Sequence, residues 1–193
     1  MIVGDSMNYS ETKILETERL ILRKIKESDA EEAFKNWTND PKTARYVMWD
    51  PHGNVEVTKE LFKMWEEEYK EPYTYKWVVY VKKIDTIIGT IDVVHKNLRD
   101  KTCEIGYCYG SKYWNNGYGT EALKAVLEFL FNEVGFELIE IHYQEENIAS
   151  GRVMQKAGLK YETTLRSRLI DKETGNRANL VVYSLTKEEF NSK

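Results

Sequence analysis

Cysteine is scarce in this 193-residue chain, which has only Cys103 and Cys108, and this excludes a disulfide-built scaffold. The two lie an odd number of residues apart in one strand-like run, so they face opposite ways and are expected as free thiols in a reducing cytosol. Histidine is rare too: His52, His95 and His142 fall at no metal-ligand spacing with the cysteines, and no metal is expected. No stretch approaches the ~20 apolar residues of a membrane span. The start, Met1 to Ser6, has no basic region ahead of an apolar run, so a cytoplasmic protein without a membrane partner is expected. The chain also lacks a basic excess, with a net charge of -4, which removes the usual footprint of a nucleic-acid binder and leans towards a cationic or amine partner. There is no internal repeat, low-complexity tract or Gly/Ser linker. One domain over residues 13–193, after a loose segment 1–12, is the expected organisation.

What is there reads as a mixed α/β (α+β) pattern. Arg19 to Ile25 suits a first strand, and a helix follows, with Ser28 or Asp29 to cap it and Pro41 to stop any continuation. Val55 to Tyr69 carries Leu61, Phe62, Trp65 and Tyr69 at helical spacing. Three strand-like runs follow, Tyr75 to Val81, Ile87 to Val94 and Cys103 to Tyr109, with links too short for anything but antiparallel pairing. Gly117 to Val134 is the longest helical pattern, stopped by Gly135. It makes Leu138 to Tyr143 the expected parallel neighbour of Cys103 to Tyr109. A short helix, Ala149 to Ala157, and strands around Tyr161 to Ile170 and Ala178 to Leu185 complete the order.

Two segments carry chemistry. The first runs from Glu104 to Tyr109 through Gly117-Tyr118-Gly119-Thr120 into the long helix. A helix start offers unpaired N–H groups and partial positive charge, and glycine lets an anion approach the backbone, although a tight turn alone also calls for glycine. The same glycines, with Ala122 and Glu140, satisfy a weak dinucleotide fingerprint, which makes an NAD(P)-binding oxidoreductase the rival reading. Against it stand the antiparallel strands before the loop and the residues Ser111 to Asn116 between strand and glycine. The second segment, Asn147 to Leu159, places an asparagine where it caps a helix and also presents an amide towards a ligand between the two strands.

Together, Trp114-Asn115-Asn116-Gly117-Tyr118-Gly119-Thr120-Glu121-Ala122, the set Asn147, Ser150, Lys156, Gly158 and Leu159, and the opening Glu18-Arg19-Leu20-Ile21-Leu22-Arg23 resemble the GCN5-related N-acetyltransferase (GNAT) superfamily. The closer likeness is to its ribosomal-protein N-terminal acetyltransferase-like branch. Trp114 stands where the wider superfamily has Gln or Arg, and Met154 where many members place a tyrosine that protonates the departing thiolate. The resemblance implies a mostly antiparallel sheet with one parallel pair splayed at a bulge and helices on both faces. It implies that acetyl-CoA binds along Tyr107, Cys108 and Tyr109, at Asn115, Asn116, Gly117, Tyr118, Gly119 and Thr120, and at Asn147 and Ser150. Ser150 is then expected at the coenzyme sulfur, and Glu104, also at the acceptor, as general base. Trp49, in the stretch Tyr46 to His52, is expected at the acceptor end of the cleft, where a tryptophan either stacks on substrate or fills core. Cys108 has no partnered base and is expected to be structural. Direct transfer to an amine, a protein N-terminus or a small molecule, is expected; a non-catalytic acyl-CoA-binding regulator remains a further alternative, and the branch is compatible with a homodimer.

Overall fold

Strand alternation sends apolar side chains to both faces of the central strands, and helices cover each face. The computed structural model describes residues 7–192. Eight strands, β1 (Leu15–Glu16), β2 (Leu20–Arg23), β3 (Lys76–Val81), β4 (Thr86–Asn97), β5 (Thr102–Tyr109), β6 (Leu138–Gln144), β7 (Lys160–Ile170) and β8 (Arg177–Thr186), form one sheet in the order β1-β2-β3-β4-β5-β6-β8-β7. Every neighbouring pair is antiparallel except β5 and β6, whose crossover holds helix α4 (Tyr118–Phe129), as parallel strands require.

On one face, Leu123, Val126 and Leu127 of α4 and Met154 of α5 (Ile148–Ala157) pack with Trp77, Ile105 and Ile139. On the other, Ala30 and Ala33 of α1 (Ala30–Ala33), Trp37, and Phe62 of α3 (Val55–Glu68) cover Val78 and Ile87. Phe62 is fully buried, which contributes about 1.5–3 kcal/mol. Cys103 belongs to the first cluster and Cys108 packs against the second, so the thiols sit on opposite faces and are free.

Several local expectations change. The first helix opens as a tight turn, Glu27–Asp29, and widens into a π turn, Phe34–Thr38. Asp29 does not cap from in front of it: its carboxylate, clamped by Arg23 at 2.7 and 2.8 Å, reaches back to accept the Lys26 N–H at 2.9 Å. Pro41 starts a short helix, α2 (Pro41–Ala44), because proline suits the first helical position; Asp40 caps it. The long helix keeps its expected extent, but its last turn, Leu130–Val134, is π-type before Gly135 turns left-handed at φ 90°. Of the expected loose segment, residues 1–6 lie outside the description. Beyond them, the Asn8 N–H donates to Val134 O at 3.1 Å and the buried Thr12 hydroxyl to Thr74 O at 2.5 Å. A capping box at Thr186 opens a last short helix, α6 (Lys187–Asn191). Among the described residues no helix is long and apolar enough to cross a membrane.

The parallel pair is short. β5 and β6 meet only at Thr102↔Leu138, Cys103↔Ile139 and Glu104↔Glu140, although both strands continue, to Tyr109 and Gln144. At the same level β4 carries a bulge, with Val93 opposite Ile105 and His95 opposite Glu104. An extra residue bends its strand, and β5 follows β4 away from β6. A gap through the sheet opens there.

Candidate active site

A cavity of about 320 Å³ occupies the gap and the mouth beyond it. Tyr107, Cys108 and Tyr109 form one wall, Asn115, Gly117, Tyr118, Gly119 and Thr120 the floor, and Asn147, Ser150, Arg152, Val153 and Lys156 the other wall. Past Glu104, β5 has lost its neighbour on this side, so its backbone is free to pair with an extended amide chain. One group is already used: the Tyr109 carbonyl accepts from the Trp114 indole N–H at 2.6 Å.

The floor is the start of α4. Gly117 precedes it at φ 79° and no side chain caps it, which leaves the first N–H groups for an anion. Gly119 answers a second demand: a Cβ there would lie 3.1 Å from the Tyr109 ring, so glycine also serves packing inside the cradle. Asn115 takes φ 62°. Asn116 does not line the cavity, because its amide is turned into the loop, donating to Tyr113 O at 3.0 Å and Trp114 O at 2.9 Å. The loop is held from outside by Arg19, which donates to Asn116 O at 2.9 Å and pairs with Glu121 at 2.6 Å. The sequence placed Arg19 in the first strand and in the opening Glu18 to Arg23 motif but not at this loop, because its bond partners are about a hundred residues away.

Lys42, Arg152 and Lys156 line the cavity, which has no carboxylate in its wall, and among the described residues none of the three makes an ion pair. In a chain of net charge -4 this is a local reversal of sign, suited to a polyanion. Asn147 Oδ1 accepts the Ser150 N–H at 3.4 Å, so the cap uses the oxygen and leaves the amide N–H₂ for the cavity.

Ser150 has a partner that the sequence did not reveal. The Tyr107 hydroxyl lies 2.8 Å from Ser150 Oγ and 3.1 Å from Ser150 O. Burial pushes the Tyr107 phenol above its ordinary pKa, so it stays protonated at neutral pH. Strand periodicity puts Tyr107 on the α4 face and Glu104 on the other. Glu104 lies outside the cavity wall, at the last level where β5 and β6 still pair, with Oε1 3.2 Å from His142 Nδ1. Trp49 is also outside that wall; it packs on the α3-side cluster, with its ring 5.5 Å from that of His52. Tyr46 and Val47 of the same stretch do line the cavity.

Residues 19–160 match the family model described as an acetyltransferase (GNAT) domain. This chain belongs to the GNAT acetyltransferase family. It is 31% identical over 174 residues to the uncharacterized N-acetyltransferase YoaA of Bacillus subtilis, an alignment covering 90% of this chain and 97% of YoaA. A GNAT-family acetyltransferase structure from Bacillus anthracis superposes with a TM-score of 0.79 at 26% identity, covering 92% of this chain and all of that one. Ribosomal-protein-S5-alanine acetyltransferase from Vibrio fischeri (TM-score 0.79, 22% identity, 92% and 98% coverage) and the microcin C7 self immunity acetyltransferase MccE, in complex with acetyl-CoA and AMP (0.78, 17%, 88% and 93%), share the fold about equally. The fold likeness therefore does not single out the ribosomal branch.

In this GNAT acetyltransferase the dinucleotide reading loses its acid. Glu140 pairs with Glu104 at the closed end of β5 and β6, and strand alternation turns it away from α4. Burial pushes the Cys108 thiol up to about 12, which keeps it from acting as a thiolate nucleophile. Among the described residues no three His, Cys, Asp or Glu side chains gather as a metal site needs.

Proposed function

We propose that this acetyltransferase moves an acetyl group from acetyl-CoA to a primary amine by direct attack, without an acyl-enzyme. The observation that carries the reading is the cavity itself. An opened parallel pair leads to an uncapped helix N-terminus beside three cations that make no ion pair among the described residues, with no carboxylate in the wall. Such a site fits an extended amide chain ending in a pyrophosphate, with α4 and Lys42, Arg152 and Lys156 to hold the phosphates and Asn147 to hold the chain.

The two faces of the gap divide the work. On the α4 side, Ser150 supplies a hydroxyl for the departing sulfur, backed by Tyr107 in place of the tyrosine that Met154 replaces. On the α3 side, Glu104 and His142 meet the acceptor and supply the proton-accepting group, since only a neutral amine attacks a thioester. A protein N-terminus or a small-molecule amine fits this chemistry, and the ribosomal branch favours the former.

A panel of amines, including N-terminal peptides and polyamines, assayed for free CoA release tests the reading. Release with at least one class is expected, whereas acetyl-CoA binding without release from any amine would leave a non-catalytic binder. Thermal shift adds a check. At 100 times the dissociation constant a ligand stabilises by about 2.7 kcal/mol, which raises Tm by about 5–10 °C with acetyl-CoA and not with NAD(P).

A further inference from the structure

Glu104 and His142 are an unusual pair for this sheet. They stand on adjacent parallel strands at the level where pairing ends, on the face opposite Tyr107 and Ser150, with Glu104 Oε1 3.2 Å from His142 Nδ1. Each side chain keeps 24% of its surface exposed, and among the described residues the imidazole Nε2 makes no hydrogen bond. Between Glu104 and Cys108 the strand carries Gly106, over which Val94 packs: a Cβ there would lie 2.9 Å from Val94 Cγ1.

We infer that His142 Nε2 is the group that takes the proton from the acceptor ammonium, with Glu104 as the positioning residue that fixes the tautomer through Nδ1. The inference rests on the transferase reading above. A carboxylate against Nδ1 keeps the hydrogen there and leaves the lone pair on Nε2. The proton count closes. The ammonium has three N–H bonds; one proton passes to Nε2 and then to solvent, and the free amine attacks the thioester carbon. As the C–N bond forms and the C–S bond breaks, the second proton ends on the coenzyme thiol and the third stays on the amide. Imidazole suits the role because its proton exchange falls near neutral pH.

Other charges around the pair are arranged to keep the imidazole basic. Glu104 raises His142 first, and Glu140 on its own strand adds to this against partial burial. On β8, the partner of His142 is the uncharged Val182, while Ser184, opposite Glu140, donates to Glu162 of β7 at 2.5 Å. At the Gln144 end, Asp171 is paired with Arg45 at 2.7 Å. On the β4 side, His95 stands opposite Glu104, and Asp92, opposite Gly106, is paired with Lys76 at 3.2 Å.

The test is the pH dependence of kcat/KM for wild type, His142→Gln, His142→Asn and Glu104→Gln, with an amine that the panel finds, beside an NMR titration of the His142 ring that needs no turnover. Both His142 variants should lose about tenfold or more near pH 6.5 and recover to within about threefold at pH 9.5, where the amine is free without help. Glu104→Gln removes the charge that raises the imidazole, so its acid limb and the NMR midpoint should both move to lower pH. A limb unchanged in both His142 variants overturns the inference while leaving the transferase reading intact. Collapse of Glu104→Gln at low pH with no shift of the NMR midpoint also overturns it and puts the proton on Glu104. Absence of CoA release from wild type with every amine overturns the transferase reading itself, and the inference with it.

Discussion

Removal of one phenolic oxygen, in Tyr107→Phe, isolates the contribution of the hydroxyl pair at the sulfur side. The Tyr107 hydroxyl has one hydrogen but two neighbours, Ser150 Oγ at 2.8 Å and Ser150 O at 3.1 Å. At rest it donates to the carbonyl and accepts from Oγ–H; in the proposed reaction Oγ–H would turn to the developing thiolate and the phenol would donate to Oγ. The variant gives up one or two hydrogen bonds of about 1 kcal/mol each, so Tm should fall by roughly 2–8 °C. Losing support for the serine in the transition state should lower kcat by about 10–100-fold, or roughly 1.4–2.7 kcal/mol, with KM for acetyl-CoA little changed. Ser150→Ala is the better-behaved partner, because the phenol keeps the Ser150 carbonyl and no buried hydroxyl is orphaned; its Tm should stay within about 2 °C of wild type. In the double-mutant cycle, measured by thiol release at saturating amine, Tyr107→Phe should add little once Ser150 is alanine. Additive losses in log kcat, or a wild-type kcat in Tyr107→Phe beside an impaired Ser150→Ala, would refute the coupled pair.

Three other outcomes follow from the same geometry. Asn147→Asp keeps an oxygen for the Ser150 N–H but loses the amide donor, so calorimetry should show acetyl-CoA affinity down about tenfold with Tm unchanged, whereas Asn147→Ala loses about 1 kcal/mol of cap as well. Charge removal in Arg152→Ala with Lys156→Ala should weaken acetyl-CoA binding and flatten its dependence on salt between low and moderate ionic strength; an unchanged salt slope would place the phosphates elsewhere. Asp171 is held well below the usual carboxylate range by the Thr174 backbone N–H, then Gln144 and Arg45. A depressed carboxylate contributes stability that is full above its unfolded pKa of ~3.9 and is lost as pH falls towards the folded value. Wild-type Tm should therefore drop more steeply below about pH 4 than that of Asp171→Asn, as followed by circular dichroism.

Legibility in the sequence divides by range of interaction. Helical spacing in Val55 to Tyr69 and alternation in Cys103 to Tyr109 follow from a residue and its near neighbours, and both elements stand where the pattern puts them. The first helix was harder, because Asp29 is engaged by Arg23 on the preceding strand and the helix then widens to a π turn, neither of which local propensity encodes. In the site, the glycine floor and Asn147 were legible because backbone conformation and capping are written in short motifs. Asn116 stands off the cavity wall with its amide on carbonyls of its own loop, an arrangement visible only once the loop is closed.

By itself, then, the order of residues determines the longer strands and helices, the free thiols on opposite faces and the glycine-floored loop, since each depends on periodicity or on a backbone angle that few residues adopt. Tertiary packing alone opens β5 from β6 at Glu104, sets Tyr107 against Ser150 and Glu104 against His142, and gathers Lys42, Arg152 and Lys156 around one cavity. Those juxtapositions join residues from separate elements, and distance along the chain carries no information about them until the bulge in β4 has bent the sheet.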